Sequence, residues 1–231
     1  MKFTLVILTL NEIDGLKGVF KHVPVAAFDE VFAVDGGSTD GTVEFFKKNG
    51  VKILPQKSKG RGEAFRIAVE KAKGDVLIFF SPDGNENPAD LPKFKQFFQK
   101  NDYDIVIASR MMKGARNEED SEFFKWRKWA NNAFNLMANV FFRRTGKYVT
   151  DSINGYRGIK KEAFKRLKLD GEGYTIEYQM TIKAFKKRLK IFEFPTHEAL
   201  RIGGESYAKS IPTGIKFLKV FFKELFGHEK K

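Results

Sequence analysis

The sequence predicts an α/β fold, a mainly parallel sheet with helices on both faces. Three observations carry that prediction. Short β-rich apolar runs alternate with helical stretches through the first half of the chain. One run, DVLIFF at 75–80, is apolar without a break, as a strand covered on both faces is. Polar turns also follow the runs, at the edge where open sheets of this kind place their ligands.

The elements follow in order. Residues 3–10 form the first strand and 13–22 a helix. The strand at 31–34 runs into the acidic, glycine-rich turn DGGSTDGT, whose Ser38, Thr39 and Asp40 suit the cap of a helix at 42–49. Gly50 closes that helix and 51–54 is a short third strand. Within 62–73, Ala64, Ile67, Ala68, Lys71 and Ala72 recur at helical spacing until Gly74. The fourth strand at 75–80, a helix at 89–99 and a strand at 104–109 complete this half.

Beyond Arg110 the pattern changes. Residues 111–120 predict a polar loop, and 121–144 a long aromatic helix with a polar stripe of Lys128, Asn131, Asn132, Asn135 and Asn139. A second such helix is predicted at 212–226. Ile215, Leu218, Phe221, Phe222 and Leu225 make one face, and Lys216, Lys219 and Lys223 the other. Basic amphipathic helices with aromatic residues suit a membrane interface; one alone reads better as a cover for the core, and two in a strongly basic chain point to surface binding.

A chain of 231 residues, 42% hydrophobic, is long enough to bury a full core. With no cysteine it has no disulfide, thiolate metal site or cysteine nucleophile. The N-terminal apolar run is short and ends in Asn11 and Glu12, which reads as a strand rather than a leader. No stretch approaches a membrane span, so a cytoplasmic protein is expected. The net charge of +13 points to an anionic partner: a phosphorylated substrate, an acidic membrane surface or nucleic acid. Nucleic acid ranks last, because no recognisable binding motif accompanies the charge.

Four sites stand at strand ends: Thr9 to Glu12, Asp35, the SPDGN segment at 81–85, and Ser109 with Arg110. Asp83 and Asn85, two residues apart, can present oxygens on one side of a turn to a hard cation such as Mg²⁺ or Mn²⁺. Arg110 supplies a planar, permanent cation for phosphate.

The order LTLNE, VDGGSTDGT, KGRGEAF, DVLIFFSPDGN, ASR, DSINGYRG and RIGGES resembles the family 2 glycosyltransferases of GT-A fold, in the style of the dolichyl (polyprenyl) phosphate mannose and glucose synthases. Matches run from the N-terminus to about Lys209. The resemblance implies a domain at 1–205, with a nucleotide-binding half (1–110) and an acceptor-side half (111–205), followed by a basic amphipathic extension at 206–231. It implies that Leu8, Leu10 and Glu12 line the nucleoside pocket, that Asp35 contacts the nucleoside, and that Gly60 to Gly62 pass close to it. Asp83 takes the last place of the Asp-X-Asp metal motif, with Asn85 beside it and Mg²⁺ or Mn²⁺ as the cofactor. Arg110 and Arg201 face phosphates, Arg127 and Lys128 hold the lipid phosphate, and Asp151 and Glu177 lie toward the acceptor. Asp83, Asp151 and Arg110 form the expected catalytic set.

The implied reaction moves a hexose from a GDP- or UDP-linked donor to a polyprenyl phosphate at the cytoplasmic membrane face, with inversion. An anionic phosphate acceptor needs no general base, whereas a hydroxyl acceptor would need Asp151 or Glu177. Two alternatives stay open: a family member acting on a saccharide in cell-surface glycan assembly, and a relative that binds nucleotide-sugar with weakened catalysis. The second is prompted by departures from the family pattern. Ser81 stands in place of the first metal-motif Asp and Gly36 in place of a second Asp after Asp35; a further departure is Tyr207 where a lysine is common, although Lys209 lies two residues on. The transmembrane bundle of some relatives has no counterpart in this sequence, and oligomeric state is left open.

Overall fold

The computed structural model describes residues 1–203 and 210–227. The chain alternates as expected: β1 (Phe3–Thr9), α1 (Ile13–Val19), β2 (Glu30–Asp35), α2 (Thr42–Lys48), β3 (Lys52–Pro55), α3 (Arg61–Lys71), β4 (Val76–Phe80), α4 (Leu91–Lys100) and β5 (Ile105–Ser109). There follow α5 (Trp126–Phe142), β6 (Arg157–Lys160), α6 (Lys161–Leu167), α7 (Thr175–Lys186), β7 (Ile191–Pro195) and α8 (Ser210–Phe226).

The seven strands are ordered β3-β2-β1-β4-β6-β5-β7. All pairs are parallel except those of β6, which runs antiparallel to both β4 and β5. Thr9 pairs with Asp35 and Asp35 with Pro55, so the ends of β1, β2 and β3 are level. Two apolar clusters sandwich the sheet. One joins α3 and α7 to residues such as Val6, Phe65 and Phe79; the other joins α1 and α4 to Ile7, Phe80 and Phe94. Every residue of β1 and of β4 is buried, as strands covered on both faces require.

Three departures from the predicted elements have local causes. The long helix begins at Trp126, because Asn117 and Asp120 cap a separate short 3-10 turn at Glu118–Ser121. Strand β6 was not predicted: its four residues, RGIK, are dominated by polar types, yet Arg157 is wholly buried. Strand β7 and helices α6 and α7 were likewise unassigned. In α7 the buried set includes Glu177, Gln179 and Thr181 beside Ile176 and Met180, which erases the one-sided pattern.

The two basic aromatic helices pack differently from their hydropathy. On α5, Asn135 and Asn139 face the protein. Asn135 donates to Thr150 O at 2.6 Å and accepts Ser152 N at 2.8 Å, while Asn139 donates to Val149 O and accepts Val149 N. Trp129, Leu136, Val140 and Phe141 are thereby left exposed. On α8, Phe217 and Phe221 enter the core, and buried Glu224 bonds Gln179 and Lys186. Phe222, predicted on the same face as Phe221, is exposed with Ile215, Leu218 and Phe226. No helix among the described residues is long and apolar enough to cross a membrane.

Candidate active site

A cavity of about 610 Å³ opens at the carboxyl ends of β1 and β4 and extends to the first turns of α5 and α8. Leu8, Leu10 and Glu12 enter it from β1 and the turn beyond, Gly60 and Arg61 from the start of α3, and Asp83, Asn85 and Glu86 from the turn after β4. Arg110 enters from the end of β5, Glu177 from α7 and Arg201 from the segment after β7. The far wall carries Trp126, Arg127, Lys128 and Phe134 of α5 with Phe217 of α8.

Each cationic side chain on the cavity wall already has a carboxylate partner. Arg201 bridges Glu12 and Asp83, the latter at 2.9 Å. Arg61 pairs with Glu177 and donates to Ser81 Oγ at 3.2 Å. Arg110 binds Asp151 through Nε and Nη2 at 2.8 and 3.0 Å, and Glu198 through Nη1 at 3.3 Å. Arg127 bonds Glu119 at 2.6 Å and reaches Glu118 at 3.1 Å, and Lys128 pairs with Asp120.

Burial perturbs these groups. It lifts Glu12 to about 7, against the pull of Arg201. It lifts Asp83 as well, with Arg201 opposing, and it lifts Glu86 well above the usual range with Asp83 adding to the rise. Desolvation alone would depress Arg61 and Arg110, but the facing carboxylates carry both above the ordinary arginine value.

Leu8, Leu10, Glu12, Gly60, Asp83, Asn85, Arg110, Arg127, Lys128 and Arg201 thus converge on one cavity. Three predicted residues do not line it. Asp35 accepts Gly37 N and Ser38 N, both at 2.9 Å, together with the hydroxyls of Ser38 and Thr9. Its carboxylate is used up in anchoring the turn. Gly62 backs onto Gly171, where a β-carbon would meet the carbonyl. Asp151 is wholly buried and acts as the clamp that aims Arg110, not as a base open to substrate. Gly204, Glu205, Ser206, Tyr207 and Lys209 lie outside the described residues.

Residues missed from the sequence fill the places where it departs from the resemblance. A side chain at Gly36 would crowd Gln56 Oε1 at 3.0 Å and Leu10 at 3.3 Å, so glycine there makes room for Gln56 on the cavity wall. Gln56 directly follows β3, and the strand-end rule that flagged Asp35 applies equally to it. Arg61 sits on Ser81 and was visible within KGRGEAF. Glu198 gave no signal, because the strand that delivers it was not predicted.

The expected divalent ion meets a poor fit in this arrangement. Asp83 is the one carboxylate left in the motif, with Oδ2 on Arg201 and Oδ1 accepting Asn85 N at 3.1 Å. The Asn85 amide nitrogen is turned to Glu118 and Ala199 O. Among the described residues no group of three His, Cys, Asp or Glu side chains is placed to hold a metal.

An open α/β sheet with its cavity at the strand ends is the arrangement of a GT-A fold, which the solved structures bear out. Among solved structures, glucosyl-3-phosphoglycerate synthase from Mycobacterium tuberculosis, in complex with Mn²⁺, uridine diphosphate and phosphoglyceric acid, superposes with a TM-score of 0.79. The match covers 99% of this chain and 80% of that one at 18% identity. The chain belongs to glycosyl transferase family 2, whose profile matches residues 4–168. It is 28% identical over 194 residues to Glycosyltransferase AglJ of Haloferax volcanii, covering 81% of this chain but 60% of that protein. It is also 28% identical over 215 residues to the UDP-N-acetylglucosamine–dolichyl-phosphate N-acetylglucosaminyltransferase of Methanococcus voltae, covering 83% of each.

Proposed function

We propose that this glycosyltransferase moves a hexose from a nucleotide-sugar to a polyprenyl phosphate at a membrane surface, with inversion. The observation that carries the reading is the continuity of the cavity. It joins a strand-end site with Arg201 and Arg110 to a wall of Arg127, Lys128, Trp126, Phe134 and Phe217, where cations stand beside apolar side chains. A phosphate attached to a hydrocarbon chain has that combination of needs. The dolichyl-phosphate acceptor named for the Methanococcus voltae relative supports the same assignment.

In this reading the nucleoside lies between Leu8, Leu10 and Gln56. Binding the donor diphosphate requires Arg201 to exchange Asp83 and Glu12 for phosphate oxygens. A lipid phosphate oxygen then attacks the anomeric carbon, and the bond from that carbon to the diphosphate breaks, leaving its electron pair on the departing oxygen. Arg201 and Arg110 stabilise the charge that develops there. Asp151 fixes Arg110 in two-pronged geometry and so spares reorganisation during the reaction.

The exposed residues of α5 and α8 give the reading its membrane side. Trp129, Leu136, Val140, Phe141, Ile215, Leu218, Phe222 and Phe226 are solvent-facing, with Phe123 and Phe124 beside α5 at 96% and 64% exposure. Exposed Lys216 and Lys219 share α8 with this surface, and Arg143, Arg144 and Lys147 follow α5. Apolar side chains rimmed by cations match an anionic bilayer.

Transfer of radiolabel from a panel of UDP- and GDP-hexoses into an organic-extractable polyprenyl phosphate, with anionic vesicles present, tests the proposal. Label in the lipid phase with one donor is expected. Label passing only to a water-soluble saccharide would replace the lipid acceptor with a hydroxyl one.

A further inference from the structure

Among the described residues, one buried side-chain oxygen has no hydrogen-bond partner, Oε2 of Glu177. The side chain is 2% exposed and forms part of the cavity wall. Its other oxygen, Oε1, accepts from Nε of Arg61. Arg61 reaches on to Ser81 Oγ at the end of β4, two residues from Asp83. The Glu177 carbonyl accepts Nη1 of Arg157 at 3.1 Å, which ties the first turn of α7 to the start of β6. A β-carbon on Gly155 would collide with the Arg61 guanidinium, so the pair is enclosed on that side as well. The free oxygen is held in place from three directions.

An ionised carboxylate only accepts hydrogen bonds, so whatever satisfies Oε2 must bring an O–H or N–H. The diphosphate of a nucleotide-sugar carries no O–H at neutral pH, and the lipid phosphate, with a second pKa of about 6, is mostly without one. The nucleoside lies at Leu8, Leu10 and Gln56, on the strand side of the cavity. What remains between the two phosphate positions is the sugar, which is rich in hydroxyls. We propose that Glu177 determines which sugar is accepted, Oε2 taking the O–H of one hydroxyl on the hexose being transferred. This rests on the cavity being a nucleotide-sugar site. A site built around such an acceptor rejects the analogue that lacks the hydroxyl, because the buried oxygen then stays unpaired.

The test is a binding titration of the full chain, without acceptor, using UDP, GDP, their glucose, mannose and N-acetylglucosamine conjugates, and then single deoxy forms of whichever conjugate binds. Wild type is expected to bind one deoxy analogue at least about tenfold more weakly than its parent, the scale of one charged hydrogen bond. Glu177→Gln is expected to bind the parent about tenfold more weakly, to show little further loss with that deoxy analogue, and to bind the bare nucleotide as wild type does. If Glu177→Gln fails to fold, Glu177→Asp, which keeps the charge opposite Arg61, is measured with the same series.

Equal binding of parent and every deoxy form by wild type would overturn the proposal, as would a deoxy penalty that persists in the variant. Normal donor binding with lost turnover in Glu177→Gln would make Glu177 a base for a hydroxyl acceptor and overturn it too. Failure of wild type to bind any conjugate or bare nucleotide would instead remove the donor-site reading beneath it.

Discussion

At the ends of β1 and β4 the chain turns its charges inward, whereas along the outer sides of α5 and α8 it turns apolar side chains to solvent. The strand-end region contains paired ions: Arg201 with Glu12 and Asp83, Arg61 with Glu177, Arg110 with Asp151 and Glu198. The helical region buries amides instead, Asn135 and Asn139 bonding the 149–152 segment while Leu136 and Val140 face out. In both places polar groups that find partners share the inner face, on the helices beside Phe142, Phe217 and Phe221. Resident carboxylates at the strand ends hold the cations in place. On α5, buried hydrogen bonds hold Asn135 and Asn139 inward and leave Leu136 and Val140 exposed.

The largest test of that contrast is Asp151→Ala. Removing the buried half of a two-pronged ion pair leaves the mostly buried Arg110 without its main partner, and should lower unfolding free energy by about 3–5 kcal/mol. Urea titration measures it; a loss below about 1 kcal/mol would mean that Asp151 is not the anchor of Arg110. Next comes a pair of neighbours on α5. Asn135→Ala strips partners from Ser152 N and Thr150 O and should cost about 2–3 kcal/mol, whereas Leu136→Ser should stay within about 0.5 kcal/mol. A reversed order would mean that the helix presents its other face to the protein.

The outer surface is expected to matter for vesicles rather than for folding. Trp129→Ser combined with Phe222→Ser should leave the thermal midpoint nearly unchanged. It should weaken binding to anionic vesicles by about tenfold or more in a sedimentation assay, since each large aromatic contributes on the order of 1.5–3 kcal/mol when fully buried. Unchanged sedimentation would remove the membrane from the proposal.

The smallest expected effect is a pH dependence. Glu12 in the folded chain titrates at about 7, above its ordinary 4.5, because it is buried. The folded state therefore binds more protons between those values. The stability contributed by this group is complete below 4.5 and is lost as pH rises through 7. A protonated Glu12 also releases Arg201, so affinity for a nucleoside diphosphate should rise a few-fold from pH 8 to pH 6. Glu12→Gln should flatten that profile, and an unaltered slope in the variant would assign the effect elsewhere.

Much of this was legible in the sequence. Strands such as VLIFF announce themselves because they are covered on both faces, and a strand end is a place where polar residues must be justified. That logic brought Glu12, Asp83 and Arg110 to one cavity. The same logic placed Asp35 in the pocket, where the structure shows a turn anchor, since an aspartate that binds a ligand and one that binds its own backbone look alike. The chain between residues 145 and 195 was opaque because β6 and α7 bury arginine, glutamate, glutamine and threonine, whose partners lie far away in sequence.

The sequence by itself determined the parallel α/β layout and the strand-end charges Glu12, Asp83 and Arg110, because hydrophobic period and strand-end chemistry are local properties, and the order of its motifs carried the family. Only the tertiary structure decided that Asp151 clamps Arg110, that one oxygen of Glu177 is left free, and which sides of α5 and α8 face out. Those outcomes depend on hydrogen-bond and ion-pair partners up to 116 residues apart, as between Arg61 and Glu177, and no local pattern encodes such a match.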